Sequence, residues 1–257
     1  MKNPEQEIPG KNVVEIQGLW CHRGNLQVVK GLDLTIQQGE TVAIIGPSGG
    51  GKSTLLRCLN GLTTFEKGSI KVGGESLLSG GKTPANKLRN IRQKYGMIFQ
   101  DYRLFPHKNV LANVMEGPLA VNGARPEQAR QLAEGLLERV GLGQFGNRFP
   151  NSLSGGQQQR VAIARTLAMR PAGLLCDEIT AALDPERKGD VLGLLAELKA
   201  EGLTILMVTH EMGFARRSAD RIVLLDGGTI IENGPPEQVL DRPRSERSHA
   251  FLKGVLG

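Results

Sequence analysis

Residues 46–53 read Gly46-Pro47-Ser48-Gly49-Gly50-Gly51-Lys52-Ser53 and satisfy GxxxxGK[ST]. The apolar run Val42 to Ile45 precedes them and the helical pattern TLLRCLNGL follows from Thr54, so strand, loop and helix stand in the order a phosphate cradle requires. Backbone N–H groups can wrap phosphate oxygens only where side chains are out of the way, which glycines permit. Lys52 supplies a point charge for the outer phosphates, and the Ser53 hydroxyl can ligate Mg²⁺. A second GKT, at the end of residues 76–83 (SLLSGGKT), does not qualify. Ser76 stands where the first glycine belongs and Pro84 where the helix should begin, so residues 73–84 read as a Gly/Ser-rich surface loop.

Leu153-Ser154-Gly155-Gly156-Gln157 is another glycine-rich turn feeding a helical pattern, QQRVAIARTLAM, that Pro171 ends. A helix start presents free N–H groups and a positive dipole end to an anion. The apolar run Leu174 to Cys176 ends in Asp177 and Glu178. Successive side chains at a strand end point in different directions, so Asp177 can serve Mg²⁺ while Glu178 acts as general base on a water. The next apolar run, TILMVT, ends similarly in His210.

These groups need a rigid frame. Short apolar runs bounded by turn signals predict strands at Asn12 to Ile16, Leu32 to Ile36, Thr41 to Ile45, Gly96 to Phe99, Leu174 to Cys176, Thr204 to Val208 and Arg221 to Leu225. Three of them are apolar on both faces, as in a parallel sheet covered by helices on each side. After Pro126, residues Ala129, Leu132, Ala133, Leu136, Leu137 and Val140 form a helical core stripe. More than 70 residues without a convincing strand separate Phe99 from Leu174, which implies a helical insertion.

The composition is that of an ordinary globular chain: 257 residues, 39% hydrophobic and 23% charged. That excludes disordered and collagen-like classes. No apolar run approaches the roughly 18 residues of a membrane span, and the amino terminus lacks an apolar signal core, so a cytosolic setting is expected. Cys21, Cys58 and Cys176 are odd in number and lie far apart in sequence, so they are expected to be reduced packing residues. The net charge of +6 raises the question of nucleic acid, but the basic residues are scattered and only ten aromatics are present. No nucleic-acid partner is expected.

Across nearly its whole length the chain resembles the ATP-binding cassette ATPases. The resemblance rests on the phosphate loop at 46–53, Gln100 after GMIF, LSGGQ at 153–157, Asp177 with Glu178, the Ala182-Leu183-Asp184 turn, and His210, in that order. It implies an α/β P-loop NTPase (RecA-like) fold: a mostly parallel sheet core with an antiparallel β subdomain and an α-helical insertion subdomain. One domain over 11–250 is expected, with the insertion at about 102–168 and a short helical tail at 236–257.

The resemblance also implies ATP and Mg²⁺ as ligands. ATP would be held by Gly46, Pro47, Ser48, Gly49, Gly50, Gly51, Lys52, Ser53 and Thr54, and Mg²⁺ by Ser53, Gln100 and Asp177. In the family two copies meet head to tail, so Leu153, Ser154, Gly155, Gly156 and Gln157 of one copy, with Asp184 of the D-loop, serve the partner's ATP. Glu178, His210 and Gln100 would be catalytic, Gln100 sensing the metal and the attacking water, and His210 contacting the terminal phosphate. An aromatic residue usually stacks on adenine before the second strand; here Arg23 takes that register, with His22 and Trp20 nearby. An Arg guanidinium can stack on a π face with roughly 1 kcal/mol when exposed. Ile179-Thr180-Ala181-Ala182 replaces the more usual Pro and Ser after the catalytic acid, with little effect expected.

VVKGLDLTI, LFPHKNVLANV, VTHEMGFAR and ERSHAFLKGVL look most like the uptake subunits for polar amino acids. That implies a homodimer or paired subunit on the cytoplasmic face of the plasma membrane, under integral membrane permease subunits and indirectly an extracytoplasmic solute-binding protein. A cassette ATPase of a cell-division or lipoprotein-release complex is the alternative, ahead of one acting on nucleic acid or the ribosome. Tyr102, Leu104 and Phe105, just past Gln100, are expected to form a small apolar surface for a permease helix.

Overall fold

The computed structural model describes residues 10–256; the stretch 1–9, read above as free of a signal, and Gly257 at the end of the tail lie outside them. Strands β1 (Asn12–Arg23) and β2 (Leu26–Gln37) form a hairpin turned by Gly24 and Asn25. Both outrun the predicted segments, because register shifts between Ile16 and Leu19 let β1 continue past Gly18 at φ 53°. That extension carries Arg23 to the hairpin tip, opposite Leu26.

Strand β3 (Thr41–Ile45) leads into α1 (Lys52–Leu59), after which β4 (Lys67–Val72) and β5 (Glu75–Leu77) complete an antiparallel sheet of order β2-β1-β4-β5. Sequence reading missed β4 and β5, and the loop expected over 73–84 is partly ordered: Glu75–Leu77 pairs with β4, and Ser79–Gly81 forms a 3-10 turn. The reason is local. Leu77 points into the core opposite Ile70, and the Thr83 hydroxyl accepts from the Leu78 N–H at 2.7 Å. No strand–loop–helix cradle forms there; Pro84 caps α2 (Ala85–Lys94) instead.

Strand β6 (Tyr95–Ile98) is followed by three helices, α3 (Val110–Ala120), α4 (Pro126–Arg139) and α5 (Gly155–Leu167). Then come β7 (Gly173–Asp177), α6 (Pro185–Ala200), β8 (Thr204–Val208), α7 (Met212–Ser218), β9 (Arg221–Asp226), β10 (Thr229–Gly234), α8 (Pro236–Asp241) and α9 (Glu246–Leu256). The central sheet has the order β10-β9-β3-β8-β7-β6, parallel except for β10, an edge strand that sequence reading also missed.

Alternation explains why β3, β7 and β8 are buried at every position. Val42, Ile44, Leu175, Leu206 and Val208 face the antiparallel sheet and α1. Ala43, Ile45, Leu174, Cys176, Ile205 and Met207 face the helices of the insertion and the carboxyl-terminal half. Two cores on one sheet hold the carboxyl ends of β3, β7 and β8 in fixed register, and the residues singled out for chemistry follow those ends.

Candidate functional site

The phosphate loop leaves β3 at Gly46, whose φ is 140°. A Cβ there would stand 2.0 Å from the Leu225 carbonyl oxygen, and one on Gly51 (φ 95°) would stand 2.3 Å from the Val28 carbonyl oxygen. At these two positions backbone crowding from β9 and β2, in addition to ligand approach, demands glycine. Gly51 also caps α1 without a side chain, leaving the first-turn N–H groups of the helix unanswered by any side chain.

Lys52, 4% exposed, donates to the carbonyls of Gly46 and Pro47 at 2.8 and 2.9 Å. Burial lowers its pKa, partly offset by the carboxylates of Glu178 and Asp177. Those two loop carbonyls hold the ammonium at the loop, where a phosphate group can take their place.

Asp177 ends β7, 4% exposed, with Oδ2 3.3 Å from Arg57 Nη2 on α1. Its Oδ1 is buried with no hydrogen-bond partner. A buried acceptor left unpaired costs about 1–3 kcal/mol, and a divalent cation is the partner that a carboxylate beside a phosphate loop would take. The donor set of Asp177 and the Ser53 hydroxyl therefore fits Mg²⁺. Arg57 was not singled out from sequence; only the α1–β7 packing makes it a neighbour of Asp177.

Glu178 takes φ 50°, one of four non-glycine residues with positive φ among those described, and its N–H donates to the Val208 carbonyl at 3.1 Å. This bend turns its carboxylate out of the sheet, where Oε1 meets His210 Nε2 at 3.4 Å. Glu178 and the loop residues Ser48 to Thr54 line one cavity of about 190 Å³, together with Arg23, Leu26 and Val28. Leu26 and Val28 escaped sequence reading because only the long hairpin brings them there. Arg23 lies in the wall of this cavity next to Leu26 and Val28.

The other predicted residues lie apart from this cavity. Ser154 caps α5 in a reciprocal box with Gln157: the Ser154 N–H donates to Gln157 Oε1 at 3.0 Å, and the Gln157 N–H donates to Ser154 Oγ at 3.4 Å. None of Leu153, Ser154, Gly155, Gly156 or Gln157 lines the phosphate-loop cavity. Asp184 caps α6, accepting from the Arg187 N–H at 3.1 Å. Gln100 is exposed two residues beyond Ile98, and the pairing of Ile98 with Cys176 sets it at the same sheet end as Glu178, though outside the cavity lining.

Tyr102 and Leu104 are half-buried, each packed in part against the helical core. A Cβ on Gly155 would lie only 2.7 Å from the Tyr102 hydroxyl, so the glycine makes room for the end of that side chain. Arg165 of α5 holds this segment by donating to the carbonyls of Tyr102 and Arg103 at 3.1 and 2.6 Å. Phe105, 37% exposed, is the member of the trio that stays at the surface.

The family model described as ABC transporter matches residues 29–181. The chain is 47% identical to the glutamine transport ATP-binding protein GlnQ of Bacillus subtilis, over 95% of this chain and 99% of that one. It is 52% identical to a probable amino-acid ABC transporter ATP-binding protein of Sinorhizobium fredii, over 91% of this chain and 93% of that one. Its fold matches the dimeric post-hydrolysis state of the ATP-binding cassette MJ0796 bound to ADP and Pi, with a TM-score of 0.78, 33% identity, and coverage of 87% of this chain and 98% of that one. With the family model spanning more than half of the chain and relatives of this identity covered almost end to end, this chain belongs to the ABC transporter family of ATPases.

Proposed function

We propose that this chain is the ATP-hydrolysing subunit of a membrane importer for polar amino acids, working as a head-to-tail pair of copies or with a related subunit. One observation carries the reading: the phosphate-loop cavity takes walls from the loop, the hairpin and Glu178, but none from the turn at 153–157. A turn whose helix start offers free N–H groups, placed away from its own chain's cavity, is suited to the phosphates held by a second copy. The relatives named for glutamine and amino-acid transport support the solute class.

The residues would act as follows. Lys52 would exchange its two loop carbonyls for the outer phosphates, and Ser53, Asp177 and Gln100 would hold Mg²⁺, which would supply neutralisation of phosphate charge. Glu178 takes a proton from the attacking water, whose oxygen bonds to the terminal phosphorus as ADP leaves with the bridging oxygen. His210 keeps the carboxylate oriented and addresses the terminal phosphate. Leu153 to Gln157 and Asp184 complete the partner's site. Residues 11–250 act as one cassette, with the insertion at about 102–168 and the tail at 236–257.

Among the described residues no helix is long and apolar enough to cross a membrane. Attachment to the cytoplasmic face of the plasma membrane would come through permease subunits, with a solute-binding protein acting beyond them. Their contact is a groove of about 410 Å³ between β6, α3 and α5, lined by Met97, Phe105, Ala120, Val121 and Met169 and rimmed by charged side chains that include Glu116. An amphipathic helix of the permease suits such a groove. Co-expression with the membrane subunits tests this: Phe105→Ala should leave the ATPase of the isolated subunit nearly unchanged while weakening assembly and uptake. Normal assembly and uptake by Phe105→Ala would overturn the groove assignment.

A further inference from the structure

Cys21 on β1 and Cys58 on α1 are 37 positions apart in sequence, yet their Sγ atoms lie 3.7 Å from each other. Both residues are fully buried in the core shared by the antiparallel sheet and α1. Cys176 belongs to the opposite core, across the central sheet. The Cys58 thiol donates to Cys21 Sγ, and the Cys21 thiol donates to the Thr64 carbonyl oxygen at 3.3 Å. A disulfide needs sulfurs about 2.05 Å apart, so closing this gap asks for a displacement of about 1.7 Å.

Burial would ordinarily keep such thiols inert. Here, however, a cavity of about 90 Å³ opens on Cys58, lined also by Thr64, Phe65, Leu77 and Leu88 among others, while Cys21 stands behind it outside the lining. Since roughly 10–15 Å³ on this measure holds a water, a peroxide molecule fits.

We propose that Cys21 and Cys58 form an oxidisable dithiol that closes to a disulfide on reaction with hydrogen peroxide, linking the strand that carries Arg23 to the helix that begins at Lys52. The Cys58 sulfur attacks one peroxide oxygen, the O–O bond breaks, and the departing hydroxide takes the Cys58 proton to leave as water. Cys58 is then a sulfenic acid. The Cys21 sulfur attacks it, the Cys21 proton passes to the sulfenic hydroxyl, and a second water leaves. Two thiols give up two electrons and peroxide accepts them.

The full chain, treated with hydrogen peroxide and digested without reductant, should give a peptide joining Cys21 to Cys58. The intact mass should fall by two hydrogens, one of three thiols should remain in denaturant, and dithiothreitol should restore all three. Retention of all three thiols would overturn the proposal, as would oxygen adducts without a link, or a link through Cys176 or to a second chain. In Cys21→Ser the reaction should stop at a Cys58 sulfenic acid that dimedone traps; absence of that adduct would overturn Cys58 as the attacking sulfur.

Discussion

His210 Nε2 stands 3.4 Å from Glu178 Oε1, although the two residues follow different strands. The pairing of Asp177 with Val208 sets their backbones side by side, and the positive φ of Glu178 turns the carboxylate toward the ring. A contact this exposed is worth about 0–1 kcal/mol, while a left-handed non-glycine residue costs about 1–2 kcal/mol. Stability alone does not account for the bend. Strain held beside a phosphate loop points to chemistry at Glu178.

Glu178→Gln should therefore keep ATP binding and lose turnover by about 10²- to 10⁴-fold, the usual cost of removing a positioned general base. Lys52→Ala should instead lose roughly ten- to a hundred-fold in ATP affinity, since charge-assisted hydrogen bonds contribute about 1.5–3 kcal/mol. Equilibrium ATP binding and steady-state phosphate release on both variants separate the roles. Undiminished turnover in Glu178→Gln, or wild-type affinity in Lys52→Ala, would contradict them.

Asp177 leads to a metal prediction. Its unpartnered Oδ1 is the acceptor expected to meet Mg²⁺, so Asp177→Asn should raise the Mg²⁺ concentration needed for half-maximal ATPase by tenfold or more. Arg57→Ala, which frees Oδ2 without removing the carboxylate, should shift that midpoint less. Magnesium titrations at fixed ATP read both; an unchanged midpoint in Asp177→Asn would rule out its role as a metal ligand.

The glycines of the loop should not respond alike. Gly46→Ala sets a Cβ against the Leu225 carbonyl and should lower the thermal midpoint of the nucleotide-free chain by several degrees. Gly49→Ala meets no atom within 4 Å and carries only the penalty of φ 79°, about 1–2 kcal/mol. Thermal unfolding without nucleotide should rank Gly46→Ala below Gly49→Ala; the reverse order would contradict the crowding argument.

The sequence was most informative where chemistry and local structure coincide. Gly46 to Ser53, Ser154 with Gln157, and Asp177 with Glu178 are legible because each motif is also its own turn, cap or strand end. Strands β4, β5 and β10 were not, since KGSIKV and ESL are short and mostly exposed, and their pairing depends on the β1–β2 hairpin and β9. The reach of Leu26, Val28 and Arg57 into the site, and the approach of Cys21 to Cys58, are tertiary facts that no local spacing encodes. The seat of the Tyr102 hydroxyl is another, since it depends on a glycine 53 positions away.

The central claim is that ATP completes its site only between two copies. With hydrolysis blocked, ATP should drive association, because it binds the paired state better than the single one. Light scattering of Glu178→Gln at saturating Mg-ATP is the direct measurement. The mass should rise from the 27.7 kDa of one chain to twice that and return on nucleotide removal; an unchanged monomer mass at saturation would contradict the account.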